Sequence, residues 1–247
     1  MTLRVRLLAV ASLLSLAATA QAAPSTGGWD WAIAPYGWGA SVGTDLTTNV
    51  PPSTSSSDVK FEDLVDHFDG VGEVHVEGQG DGFGFFTDFT YLGLADESEQ
   101  PDFRATADLD TRLFEIAAVY SPGTERFTGV ETFAGLRVID VDFNTTLTPR
   151  DPAYPPVIID TGDTLTDFML GVRYTFAFGP KWGLTLRGDG SWGDTEGTWN
   201  ASAIAQYHTA HGAWAFGYRY LDVDLKPNDN RVSISMSGPI IGYAFKF

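Results

Sequence analysis

Residues 165–178 place Phe168, Leu170, Val172, Tyr174, Phe176 and Phe178 at every second position, with Asp167, Gly171, Arg173 and Thr175 between them. A period of two sustained over that length is a strand with one apolar face, because a helix would spread the same residues around its circumference. The chain ends on the same pattern, with Ile241, Tyr243, Phe245 and Phe247 set against Ile240, Gly242, Ala244 and Lys246. Such strands need a neighbour at each edge and something apolar against one face. A sheet closed on itself in a lipid bilayer supplies both, since lipid covers the aromatic face and closure leaves no unpaired edge. The two stretches therefore predict a transmembrane antiparallel β-barrel closed by its C-terminal strand.

Eight further segments carry the alternation. Residues 29–41 are rich in Trp and Tyr, although Pro35 obscures which face is which. Residues 71–79 set Val74 and Val76 against Glu73, His75 and Glu77, and Gly80-Asp81-Gly82 turns them into residues 83–95, where Phe83, Phe85, Phe89 and Tyr91 oppose Asp88 and Thr90. A short Gly/Asp turn between alternating runs is a hairpin signal. A fourth strand sets Phe114, Ile116, Ala118 and Tyr120 against Leu113, Glu115 and Ala117. A fifth, residues 127–143, sets Val130, Ala134, Leu136 and Val138 against Glu131, Gly135 and Arg137. Residues 182–193 oppose Leu184, Leu186 and Trp192 to Thr185, Arg187, Asp189 and Ser191. Residues 198–207 oppose Trp199, Ala201, Ala203, Ala205 and Tyr207 to Asn200, Ser202 and Gln206, and residues 213–224 oppose Trp214, Phe216, Tyr218 and Tyr220 to Ala215, Gly217 and Arg219.

Together these make ten strands, in preference to eight or twelve, a number that a weak first strand or a split fifth would change. Connections after even-numbered strands are short, at residues 80–82, 121–126, 179–181 and 208–212. Those after odd-numbered strands include the long ones: residues 42–70, with a helical turn expected near 61–68, the acidic residues 96–102, and a segment holding Pro149, Pro152, Pro155 and Pro156. Short turns at one end and longer loops at the other, with an even count, is the habit of bacterial outer-membrane barrels and puts both termini in the periplasm. In the closing strand the apolar parity moves from Val232, Ile234 and Met236 to Ile241 onward, which predicts a β-bulge near Gly238-Pro239.

At the N-terminus Arg4 and Arg6 precede an apolar run over residues 7–18, and Ala20-Gln21-Ala22 supplies small residues for cleavage. The apolar run is too short to span a bilayer as a helix, so residues 1–22 read as a signal peptide and residues 23–247 as one barrel domain. Losing Arg4 and Arg6 takes the formal charge of −17 to −19, which argues against nucleic acid as a partner. With no cysteine, disulfides and thiolate metal sites are excluded.

The stretches LGVRYTFAFGPKWGLTLRGDGSWGDTEGTWN and FGYRYLDVDL, with the ending SGPIIGYAFKF, resemble a family of largely uncharacterised proteobacterial outer-membrane β-barrel proteins. The resemblance covers most of residues 23–247, more loosely in the first strand and around residues 59–64. It implies fold and location, and it brings no catalytic residues.

Function then rests on the inward face, which on this parity carries Glu73, Glu77, Asp88, Glu115, Glu131, Arg137, Asp167, Arg173, Arg187, Asp189 and Arg219, with His75 among them. These charges cannot face lipid, where a mid-bilayer Arg or Lys costs ~2–4 kcal/mol. One role for them is a salt-bridged plug in a narrow barrel of structural or surface type, since barrels of about eight strands are just wide enough for side chains to fill. The other is a small, weakly cation-preferring pore, as the seven acids outnumber the four arginines.

A rim enzyme of the omptin type is a third possibility, and it has poor material. His208 and His211 fall at a turn and His75 points inward, which leaves His67 in the loop sequence DLVDHFD with Asp63, Asp66 and Asp69. No cofactor or metal site is expected. The partners expected are outer-membrane lipid and lipopolysaccharide, the latter through divalent cations bridging its phosphates to acidic loops, and the insertion machinery through Ile241, Tyr243, Phe245 and Phe247. The barrel is expected to be a monomer.

Overall fold

The alternating segments do form strands, in a computed structural model that describes residues 28–49, 52–99, 101–123, 125–151, 153–225 and 231–247. The expected signal peptide, residues 1–22, lies outside the described residues. The strands are β1 (Asp30–Trp38), β2 (Ser41–Asn49), β3 (Pro52–Val59), β4 (Phe68–Gln79), β5 (Phe83–Glu99), β6 (Phe103–Tyr120), β7 (Gly129–Pro149), β8 (Val157–Phe178), β9 (Trp182–Gly193), β10 (Gly197–His208), β11 (Gly212–Leu225) and β12 (Arg231–Lys246). Between β3 and β4 lie a single helical turn, α1 (Phe61–Leu64), and a 3-10 turn, Val65–His67.

Every pairing is antiparallel, and β1 pairs with both β4 and β12, which closes β1 and β4 through β12 into a ten-stranded barrel. The backbones of Trp31 and Phe247 seal the seam, the N–H of each donating to the carbonyl of the other at 2.8 and 3.0 Å. The C-terminal aromatic strand is thus the closing strand, as its alternation predicts. The remaining two strands form the hairpin β2–β3. Its first arm continues β1 along β12 without change of register, from Trp38 opposite Ile240 to Ser41 opposite Ser237. The short turns, the start of β1 and the C-terminal Phe247 share one end of the barrel, called here the turn end; the long hairpins rise from the other, the loop end.

The outward parity is apolar, as expected: Leu170, Val172, Leu186, Phe216 and Ile241 all stand exposed on the outer surface. A soluble sandwich would bury these side chains, and a continuous apolar outer surface of this kind is what a bilayer would cover.

Three expectations are corrected. Residues 42–70 are not a plain loop but the hairpin β2–β3 followed by the expected helical turn. The acidic and Pro-containing connections are mostly strand as well, since β5 runs on to Glu99 and β7 to Pro149. Beyond the lipid both faces of a strand meet water, so the alternation that marks it in sequence disappears there. Lastly, β12 has no bulge at Gly238-Pro239: its register on β11 is unbroken from Met236 opposite Leu221 to Phe245 opposite Gly212. The parity change has another cause. Met236 packs against an apolar cluster inside the loop-end half of the barrel, and an unbroken register puts Val232 and Ile234 on the same inner face.

Candidate functional site

Along the inner face the residue types change with height. In β7, going from the turn end to the loop end, the inward series is Glu131, Phe133, Gly135, Arg137, Ile139 and Val141, and in β11 it is Ala213, Ala215, Gly217, Arg219, Leu221 and Val223. Phe86, Ala117, Val119, Phe133 and Met169 make one buried apolar cluster in the β5–β8 wall. Trp38, Leu113, Ile139, Leu221, Val223 and Ile240 make a second, which reaches into the loop-end half. The charged side chains lie between and beside the two.

Arg137 is the centre of the charged layer and has no exposed surface. Its Nε and Nη2 both donate to Glu115, at 2.9 and 2.6 Å. Nη2 also reaches Asp189 at 2.5 Å and Nη1 reaches Thr198 at 2.6 Å. Arg187 bridges the same two carboxylates, Glu115 at 2.8 Å and Asp189 at 2.6 Å. Arg219 donates to Asn200 at 2.9 Å and to Glu115 at 3.3 Å. Asp167, on the loop-end side, accepts from Ser191 at 3.0 Å and from the hydroxyl of Thr195 at 2.6 Å.

A second group lies nearer the turn end. Arg173 pairs with Glu131 at 2.6 Å and with Glu77, and Gln79 donates to both carboxylates. His75 joins the groups, with Nδ1 at 3.0 Å from Asp88 and Nε2 at 3.3 Å from Glu77. Phe rings line the guanidinium faces: Arg187 lies 4.9 Å from the Phe133 centroid and 5.2 Å from that of Phe86. Burying charge without partners would cost several kcal/mol per ion, and it is this density of hydrogen bonds that offsets the desolvation.

Of the eleven expected inner charges, ten belong to these groups, and Glu73 stands apart. Among the described residues its Oε2 and the indole Nε1 of Trp38 are buried without a hydrogen-bond partner. Both residues line a cavity of ≈ 40 Å³ beneath Phe61 and Leu64 of the helical turn. A larger cavity, ≈ 190 Å³, runs from Phe127, Ala244 and Lys246 at the turn end up to Glu77, Arg173, Arg187 and Arg219. Small side chains, Ala32, Ala34, Ala213 and Ala215, leave this space on the β11–β12–β1 wall. Phe127 adopts φ 57°, unusual for a bulky residue, and its N–H donates to Gln79 at 2.6 Å, which holds the ring at the mouth beside Lys246.

Several members of the site escape a reading by charge. The hydroxyl of Tyr36 donates to Asp88 at 2.7 Å, yet Pro35 masks the alternation of its strand. Gln79, Phe86, Phe133 and Met169 share the parity of the charged residues, and that parity was the one signal available for them. At the loop end His67 pairs with Asp96 of β5 at 3.2 Å, an acid outside its own segment. Among the described residues, no three His, Cys, Asp or Glu side chains converge as a metal site.

No family model matches the chain, and no curated protein matches its sequence. Solved structures do match. The outer membrane protease OmpT from Escherichia coli superposes with a TM-score of 0.51 at 10% identity, covering 92% of this chain and 99% of OmpT. The translocator domain of the autotransporter NalP from Neisseria meningitidis gives 0.39 at 10% identity, over 97% and 96% of the two chains. The toluene transporter TodX of P. putida gives 0.39 at 8% identity, over 90% and 91%. At such identities the likeness to OmpT is one of fold alone, that of an outer-membrane β-barrel.

Proposed function

We propose that this protein is an outer-membrane barrel of structural or surface type, exported by residues 1–22, whose lumen is closed at mid-height and whose work is done at the loop end. The observation that supports it is the Arg137 group. Glu115, Arg137 and Asp189 have side chains with no exposed surface, and Arg219 of β11, on the opposite wall, donates to Glu115 of β6 at 3.3 Å. A hydrated ion would have to break several charge-assisted hydrogen bonds to pass. Single-channel recording of residues 23–247 refolded into a planar bilayer tests this. The wild-type protein is expected to be silent, and a variant with Arg173→Ala and Arg187→Ala, in which acids lose their partners and hydrate, is expected to show small cation-selective steps.

The cavity of ≈ 190 Å³ that reaches the charged layer from the turn end favours a second reading, a narrow cation-preferring pore. Steps from the wild-type protein whose selectivity changes in the double variant would replace the first reading by this one. Neither reading includes a catalytic step. Lipid is the partner of the outer surface in both, lipopolysaccharide that of the acidic loop end through divalent cations, and the insertion machinery that of Ile241, Tyr243, Phe245 and Phe247.

A further inference from the structure

The rim at the loop end is uneven. On one side β6 and β7 stay paired as far as Phe103 opposite Pro149, whereas β9 ends at Gly193, opposite Asp167 of β8. Strands β5 to β8 therefore rise as a four-stranded wing. Residues 157–166 of β8 pair with β7 on one side, and among the described residues no strand pairs with them on the other. Asp194 caps the last covered position: its carboxylate accepts from the N–H of Thr166 at 2.9 Å, and its own N–H donates to the Thr166 carbonyl at 3.2 Å. Backbone groups alternate sides along an antiparallel strand, so the N–H and C=O of Ile158, Asp160, Gly162 and Thr164 face the same way as those of Thr166, into the open edge.

Two other open edges, those of β3 and β5, are blunted. Strand β3 starts at Pro52 and continues through a serine run, and the free residues of β5 include Asp96, Glu97 and Glu99. Proline and charge are the usual protections of an edge. The β8 edge is entered from Pro155-Pro156 and carries Asp160 and Asp163, but its first three residues, Val157, Ile158 and Ile159, are apolar and 53%, 66% and 47% exposed.

We propose that this edge docks an extended, cationic segment of another polypeptide, which adds to the wing as a fifth strand. The wing supplies main-chain donors and acceptors over nine or so residues, on the order of 30 Å. The chemistry of the occupant follows from the two faces. Val157 and Ile159 lie on the axis side and call for apolar side chains, while Asp160 on the outer face and Asp163 on the inner one call for Lys or Arg. A second copy of this chain does not fit. Barrel strands tilt by ~35–45°, so the β8 edges of two upright copies in one membrane would cross at about twice that angle and could not pair along their length. The inference rests on the membrane reading above, with the loop end outward, and is independent of whether the lumen is closed.

The test uses the barrel in detergent micelles and two synthetic peptides, one alternating Val with Lys and one alternating Val with Glu. The Lys peptide is expected to bind and to slow amide exchange at Ile158, Asp160, Gly162 and Thr164. Ile158→Pro, which removes an edge donor at no change of charge, and Asp160→Lys, which reverses the charge at an exposed site, are each expected to weaken it about tenfold or more. Equal binding of the Glu peptide, binding insensitive to both variants, or a dimer by sedimentation that Ile158→Pro dissociates would each overturn the proposal, the last in favour of a second copy. Orientation is read separately, since the chain has no cysteine: labelling of Tyr154→Cys on whole cells by a membrane-impermeant maleimide reports whether the wing faces outward.

Discussion

Arg137 shows what a single inward side chain contributes. Its guanidinium is fully buried among Glu115, Asp189 and Thr198, so Arg137→Ala takes the central cation from two buried carboxylates and leaves Arg187 to bridge them. The expected loss is about 3–5 kcal/mol in equilibrium unfolding from lipid vesicles. On the outer face of the wing the balance differs, because the charges there are solvated. Asp140 accepts from Thr164 at 2.7 Å and from Arg112 at 2.6 Å, and these bonds hold its carboxyl below the ordinary range. A lowered folded-state value means the contribution is complete above the usual aspartate pKa of ~3.9 and is lost as pH falls through the folded value. Amide exchange in residues 140–149 and 157–164 is therefore expected to accelerate below about pH 4, and Asp140→Asn to show no such step.

At the level of the strand, closure depends on how near β12 and β1 approach. A Cβ on Gly238 would stand 1.9 Å from the carbonyl oxygen of Gly39, a backbone atom that cannot turn away. Gly238→Ala is expected to cost about 1–3 kcal/mol, whereas Gly188→Ala, where nothing lies within 4 Å of the added carbon, is expected to stay within ~0.5 kcal/mol. Unfolding midpoints of the two variants make the comparison. The bulge expected in this strand fails for an instructive reason. An apolar residue in a barrel can face lipid or face an apolar layer of the lumen, and the order of residues along one strand does not distinguish them.

For the molecule as a whole, the outer surface reports the medium. Val172, 48% exposed in the middle of the outward series of β8, sits where lipid would be deepest, so Val172→Arg is expected to cost about 2–4 kcal/mol in vesicles. Asp160→Arg, beyond the apolar band, is expected to cost under ~0.5 kcal/mol. Equal costs at the two positions would remove the bilayer from the account.

Alternation along the chain was sufficient for the barrel itself: strand identity from β4 to β12, the end at which the short turns lie, and the face to which Glu115, Arg137 and Arg173 belong are all consequences of a period of two. It worked because lipid imposes one rule on every second residue over the height of the membrane. Where that rule stops, legibility stops with it. The hairpin β2–β3, the rise of β5 to β8 and the open edge of β8 lie beyond the lipid and follow from where each strand meets its neighbour. Partners across the lumen depend on folding too, because Arg173 and Glu77 are 96 residues apart in the chain and only closure of the sheet brings them together.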